Sequence, residues 1–297
     1  IIPGIKLARF IDKNKIDLVH FHWTRDMATV ILAKVLSKRK VRVMQSRHMT
    51  MTRFKDDFYH KWLYKNINIM HAVTHQVKEQ LEKFIPKDVR PKIRMVYLGV
   101  DEAICNDEKI LEIKEKNNIK NEFIVGIVSR IEEAKGQYLV IEAIQKLKNL
   151  NIKALIIGHT MDEAYMDELK KKIDFFGVKD KIIFTGFTKE VNEYMRLCDV
   201  TVLATSKETF GLVIIESMIN KIPVIATANA GPLEIIDDKK NGFLFDRTTE
   251  DLVDKIKLLY NDNELKNKLA ESAYKKVKEI FDKDKQMKKI YEVINES

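Results

Sequence analysis

The stretch from Asp199 to Thr227 restricts the fold more than any other part of this 297-residue chain. Asp199-Val-Thr-Val-Leu-Ala-Thr205 is short, β-branched and mostly apolar, the pattern of a strand buried on both faces. A loop follows, then an apolar, helix-compatible segment from Gly211 to Asn220, which Lys221-Ile222-Pro223 ends. Val224-Ile-Ala-Thr227 is the next strand. Strand, loop, helix, strand is the unit of a parallel α/β sheet, and such sheets bind ligands in the loops at the carboxyl ends of their strands.

Two carboxylates punctuate this stretch. With the helix starting near Phe210, Glu208 precedes its N-terminus and Glu216 lies about one and a half turns in. The amides of Phe210, Gly211 and Leu212 then stand at a helix N-terminus, suited to an oxygen-rich or anionic ligand. Spacing alone leaves two readings open. The pair binds a ligand, or Glu208 is a charge favoured by the helix dipole and Glu216 a solvated face residue.

The same alternation runs through the whole chain. In the first third, strands are expected at Asp17–His22, Val41–Ser46 and Met70–Thr74, with helices at Ile5–Lys13, Ala28–Leu36 and Gln76–Phe84. Residues 49–64 mix basic, aromatic and acidic side chains and are expected to form one amphipathic helix. Its aromatic face suits either a bilayer surface or the core. Further on, strands are expected at Met95–Asp101, Phe123–Arg130, Ala154–Gly158, Lys181–Phe187 and Gly242–Phe245. Helices are expected at Gln137–Leu147, Val191–Leu197, Thr249–Tyr260, Leu265–Ile280 and from Phe281 onward. Arg130 and Lys135 lie in a loop at a strand's carboxyl end. One is a bidentate donor and the other a point charge, which together suit a diphosphate.

Several segments resemble retaining glycosyltransferases of the GT-B fold, family 4, in that family's order. They are Arg130-x4-Lys135-Gly136, Lys181-Ile-Ile-Phe-Thr-Gly-Phe187, Glu208-x7-Glu216 with Phe210-Gly211 between, and Gly231-Pro-x-Glu234. The resemblance spans roughly residues 15–290. It implies two facing Rossmann-like domains with parallel sheets: residues 1–104 on the acceptor side, 105–280 binding the nucleotide sugar, and a helix at 281–297 crossing back to the first. The family has a first strand and a Gly-rich loop before the equivalent of Asp17, so the first domain is expected to be incomplete at its N-terminus.

By that resemblance Arg130 and Lys135 clamp the donor diphosphate, Glu216 holds the ribose hydroxyls, and Glu208 sits by the donor sugar. Gly186 and Phe187 line the base pocket, Phe210, Gly211 and Leu212 complete the donor site, and His48 faces the sugar. The departures are Leu98 for the usual Asn, His159-Thr160 after the strand at 154–158, and a missing glycine near Ala228. The implied donor is a UDP- or GDP-sugar, used without a metal or other cofactor.

Charge bears on the acceptor. Residues 1–105 carry 21 Lys and Arg against 10 Asp and Glu, whereas residues 106–297 carry 32 against 34. A basic first half suits anionic lipid head groups or an anionic glycolipid, and equally a plain solubilising excess. No nucleic-acid-binding signature accompanies it, so no nucleic acid partner is expected. Cys105 and Cys198 stand alone without ligand-spaced His, which suits a reducing, cytoplasmic location and excludes a disulfide framework. Contact with the inner face of the cytoplasmic membrane is expected to be peripheral. The expected activity is retaining sugar transfer to a hydroxyl of a bacterial surface glycolipid or polysaccharide precursor. The alternatives are a nucleotide-sugar epimerase of the same fold and a non-catalytic nucleotide-sugar-binding module.

Overall fold

A computed structural model describes residues 1–296, and its contacts divide the chain into two units: 1–98 with 284–297, and 99–283. In the first unit, β1 (Leu18–Phe21), β2 (Arg42–Arg47), β3 (Ile69–Ala72) and β4 (Lys92–Met95) form a sheet in that order, every pair parallel. Each pair is joined through a helical segment, the kind of crossover connection that parallel pairing requires. Phe21, Ile31, Val43, Met70, Val77 and Leu81 share its main core. The helix Lys283–Asn295 belongs to this unit and buries Val293 against Met44, Ile69 and Val96. The helix expected over 49–64 exists only as Phe58–Lys65. Asp57 accepts a hydrogen bond from the His60 amide and caps it there, leaving 49–57 as loop.

The second unit contains β5 (Phe123–Val128), β6 (Ile152–Ile157), β7 (Ile182–Gly186), β8 (Val200–Leu203), β9 (Val224–Thr227) and β10 (Phe243–Phe245). Their order across the sheet is β10-β9-β8-β5-β6-β7, all parallel. Alternate residues of β5 go to opposite faces. Phe123, Val125 and Ile127 join one core, with Leu139, Val140 and Ile256, whereas Ile124 joins another with Leu155 and Tyr194. Both faces are therefore covered, which explains the near-continuous apolar runs read from the sequence. Three α-helices here were not foreseen, Asp107–Lys116, Glu163–Phe176 and a short Ala230–Ile235 where a loop was expected. The strand expected over Met95–Asp101 does not form, because the ladder with β3 ends at Met95.

The strand order sets the position of the site. From β5 the chain winds outward through β6 and β7, then returns to place β8 on the other side of β5. The strand order thus reverses between β5 and β8, and the carboxyl edge at such a reversal is the point at which open parallel sheets hold ligands.

Candidate active site

The loop after β5 is fastened from beneath. Gln137 is fully buried at the start of the helix Gln137–Lys146, and its Nε2 donates to Ser129 Oγ at 2.9 Å and to the Arg130 carbonyl at 2.8 Å. Gly136 has φ +76°, and a Cβ there would lie 2.5 Å from the Ala204 carbonyl oxygen. Only glycine satisfies both demands. The Ser206 amide donates to the Ala134 carbonyl at 2.9 Å, tying the two loops together. This close approach brings Lys135 Nζ within 3.8 Å of Glu208 Oε2, with the side chains 22% and 20% exposed. Arg130 turns outward, its guanidinium donating to Glu132 at 3.0 Å.

Gly211, at φ +99°, caps the helix Leu212–Ile219 without a side-chain hydrogen bond. A Cβ on it would meet Ile214 Cδ1 at 2.9 Å and Glu208 Cγ at 3.5 Å, so its bare backbone leaves room for Glu208 at the helix start. The Gly231 amide donates to the Glu208 carbonyl at 3.2 Å. Phe210 is buried with its ring 6.0 Å from that of Phe281, so its side chain serves packing, while Leu212 is exposed. About one turn into the helix, Glu216 is partly buried, and burial pushes its carboxyl above the usual range. No cation or donor meets this carboxylate among the described residues, so its accepting capacity is unspent.

Two strands from β5 on the same edge, Gly186 ends β7 and Phe187 is 70% exposed. The Phe187 ring meets His159 edge-on, with centroids 6.0 Å apart at 71°. The sequence registered His159 only as a departure. Two further residues at this edge escaped notice. Arg247 Nε donates to the Ala204 carbonyl at 3.1 Å with its guanidinium near the Tyr138 ring, and Asn229 Nδ2 donates to the Ser206 carbonyl at 3.2 Å. Asn229 lies in the loop marked only for its missing glycine, and Arg247 lies in no patterned segment.

In the first unit, His48 follows β2, and its Nε2 is 2.9 Å from His22 Nδ1. Beside this pair runs a second chain. His20 Nε2 lies 2.8 Å from Ser46 Oγ, Ser46 Oγ 2.8 Å from His71 Nδ1, and His71 Nε2 2.7 Å from the Val96 carbonyl. His71 was missed, though a histidine inside an otherwise apolar strand is a visible signal. His20 and His48 are both held down to about 4, first because the surrounding protein removes them from water and then through neighbouring imidazoles. His48 is exposed as a residue, yet the crowded rings still disfavour a charge on it.

The second unit thus gathers Arg130, Lys135, Glu208, Gly211 and Glu216 at its switch point, with Gly186 and Phe187 further along the same edge; His48 stands at the carboxyl edge of the first unit's sheet. Comparison with known proteins assigns both units. The glycosyl transferases group 1 family matches residues 109–276, and glycosyltransferase family 4 matches residues 1–104. N-acetyl-alpha-D-glucosaminyl L-malate synthase of Bacillus anthracis is 25% identical over 94% of this chain and 74% of that protein. Alpha-monoglucosyldiacylglycerol synthase of Acholeplasma laidlawii is 26% identical over 92% of this chain and 75% of its own. Among solved structures, Anabaena Alr3699/HepE in complex with UDP superposes with a TM-score of 0.88 at 20% identity, covering 99% of this chain and 82% of that one. With both parallel sheets accounted for, the chain belongs to the glycosyl transferases group 1 family and has the GT-B fold.

Proposed function

We propose that this glycosyltransferase moves a sugar from a UDP- or GDP-sugar to a hydroxyl of a cell-envelope glycolipid or polysaccharide precursor, with retention at the anomeric carbon and without a metal. The observation that carries this reading is the meeting of Lys135, Glu208 and the Glu216 helix at the β5/β8 switch point. The relatives support it. One solved neighbour was captured with UDP, and one relative synthesises a glucosyl lipid.

Each side chain has work suited to its chemistry. Lys135 and Arg130 neutralise the diphosphate, whose charge grows as it departs and which water exclusion makes dearer to leave unmatched. In the free protein Glu208 is the anion nearest Lys135, and the incoming diphosphate takes over that role. Glu208 then turns to the sugar hydroxyls and to the positive charge that develops at the anomeric carbon. Glu216 accepts from two ribose hydroxyls, and Gly186 with Phe187 flanks the base. The sugar–phosphate bond breaks as the acceptor oxygen bonds to the same face of the anomeric carbon, and the acceptor's proton leaves on the departing phosphate oxygen. His48 is given a sugar hydroxyl on the resemblance alone. The basic first half of the chain, residues 1–105, is assigned the acceptor and a peripheral contact with anionic membrane from the cytoplasmic side. No helix among the described residues is long and apolar enough to cross a membrane.

Incubating the chain with radiolabelled UDP- and GDP-sugars and a membrane lipid extract tests this. The expected product is a glycolipid whose anomeric configuration matches the donor, made equally well in EDTA. Loss of activity in the chelator, or an inverted product, overturns the corresponding claim.

A further inference from the structure

The first unit contains a cavity of about 460 Å³ that the donor chemistry does not use. It lies beyond the carboxyl ends of β1 and β2, against the helix Phe58–Lys65. Arg25, Arg47, Arg53 and Lys55 line it, and no Asp or Glu does among the described residues. None of these four cations forms an ion pair with a described residue. The Arg47 guanidinium donates to the Met49 carbonyl at 2.9 Å, the Thr50 carbonyl at 3.1 Å and Thr24 Oγ1. A guanidinium has five N–H donors, so two remain.

We propose that this cavity binds a phosphate-bearing group of the acceptor through Arg47, Arg53 and Lys55, with Arg25 at its rim.

The electrostatics agree with the geometry. Burial holds Arg47 below its ordinary value. Lys55 is also depressed, first by burial and then by Arg53, with Asp57 opposing and Arg47 adding. Asp57 is engaged with His60 Nδ1 at 2.5 Å, and the other ring nitrogen of His60, also on the cavity wall, lies 3.3 Å from Lys55 Nζ. Like charges gathered in a partly dry cavity are costly unless an anion joins them, and fork-shaped donors beside a point charge suit phosphate oxygens. The volume falls within the range of about 300–1,000 Å³ typical of small-ligand sites, so there is room for a head group as well as the phosphate. Thr52 and Tyr59, also on the wall, offer hydroxyls to that head group. Met49, Phe54 and Phe58 are exposed nearby, which lets a lipid-borne phosphate approach as readily as a soluble one.

The inference rests on the acceptor-side reading of the first unit, and the test separates the two. The full chain is titrated calorimetrically with sn-glycerol 3-phosphate, and its cosedimentation is measured with phosphatidylcholine vesicles, with and without phosphatidylglycerol. The same measurements are made on Arg53→Gln/Lys55→Gln, which alters only loop side chains. UDP and GDP titrations run in parallel report the donor site. The expected result is saturable binding that the double variant weakens at least about tenfold, from two lost charge-assisted contacts, while nucleotide affinity is unchanged. Binding to the soluble ester supports a soluble acceptor phosphate, and binding only to phosphatidylglycerol vesicles supports a lipid one. Absence of both, or binding that the variant retains, overturns the proposal. Failure of the nucleotides to bind the wild type instead counts against the donor site alone.

Discussion

Glu216→Gln separates a functional carboxylate from a structural one. The wild-type side chain is partly buried, its carboxyl is raised by that burial, and no described residue donates to it. Removing the charge should therefore stabilise the free protein slightly, by up to about 1 kcal/mol, because an uncompensated buried charge disappears. The sign with pH follows. A carboxyl raised in the folded state contributes stability that is present below the unfolded value of 4.5 and lost as pH rises through the folded value, so the variant's advantage should be greatest at neutral pH. Nucleotide binding should move the other way. One charge-assisted hydrogen bond to a ribose hydroxyl is lost or weakened, worth about 1.5–3 kcal/mol, or roughly 10–150-fold in affinity. Urea unfolding and calorimetric titration with UDP and GDP on the same preparation give both numbers. Unchanged nucleotide affinity, or a loss of stability above about 1 kcal/mol, would refute the reasoning and leave Glu216 a structural residue.

Two further outcomes follow from the geometry. Gly136→Ala should cost roughly 2–5 kcal/mol from a left-handed backbone and a Cβ pressed on the Ala204 carbonyl, and should weaken nucleotide binding by displacing Lys135; an unchanged melting temperature contradicts this. His20 and His48 are depressed to about 4 from 6.5, so the unfolded chain takes up protons that the folded one refuses. Stability should therefore fall as pH drops from 6.5 toward 4, by less than the full shifts because both residues stay partly in solvent. A His20→Gln/His48→Gln variant should show a shallower fall in urea midpoint between pH 7 and 5, and an equal fall refutes the assignment.

Much of the fold could be read from local pattern. β9 was read residue for residue, because Val224–Thr227 is an apolar run bounded by Pro223 and a polar loop. β8 emerged two residues narrower at its end than the run suggested, since Ala204 and Thr205 leave the ladder to meet Gly136 and Asn229. The helix Glu163–Phe176 was passed over because its buried stripe is only Tyr165, Leu169 and Ile173 among charged neighbours. Strand order is a tertiary property with no local signal. The resemblance already implied that Arg130, Lys135, Glu208 and Glu216 share one donor site, but the physical reason that Lys135 meets Glu208, the placing of β8 beside β5, belongs to the sheet order. The basic cavity shows the same limit: Arg25, Arg47, Arg53 and Lys55 read as scattered surface charge until the loop after β2 folds them around one space.

The central claim is that the carboxyl edge between β5 and β8 holds the diphosphate of a sugar nucleotide. Its most direct test is calorimetric titration of the chain with UDP, GDP and ADP, with Lys135→Ala alongside. The account predicts that one nucleotide binds saturably and that the substitution weakens it by about 1.5–3 kcal/mol, the value of a charge-assisted contact. A cooperatively folded chain that binds none of them, or a Lys135→Ala variant with undiminished affinity, would contradict it.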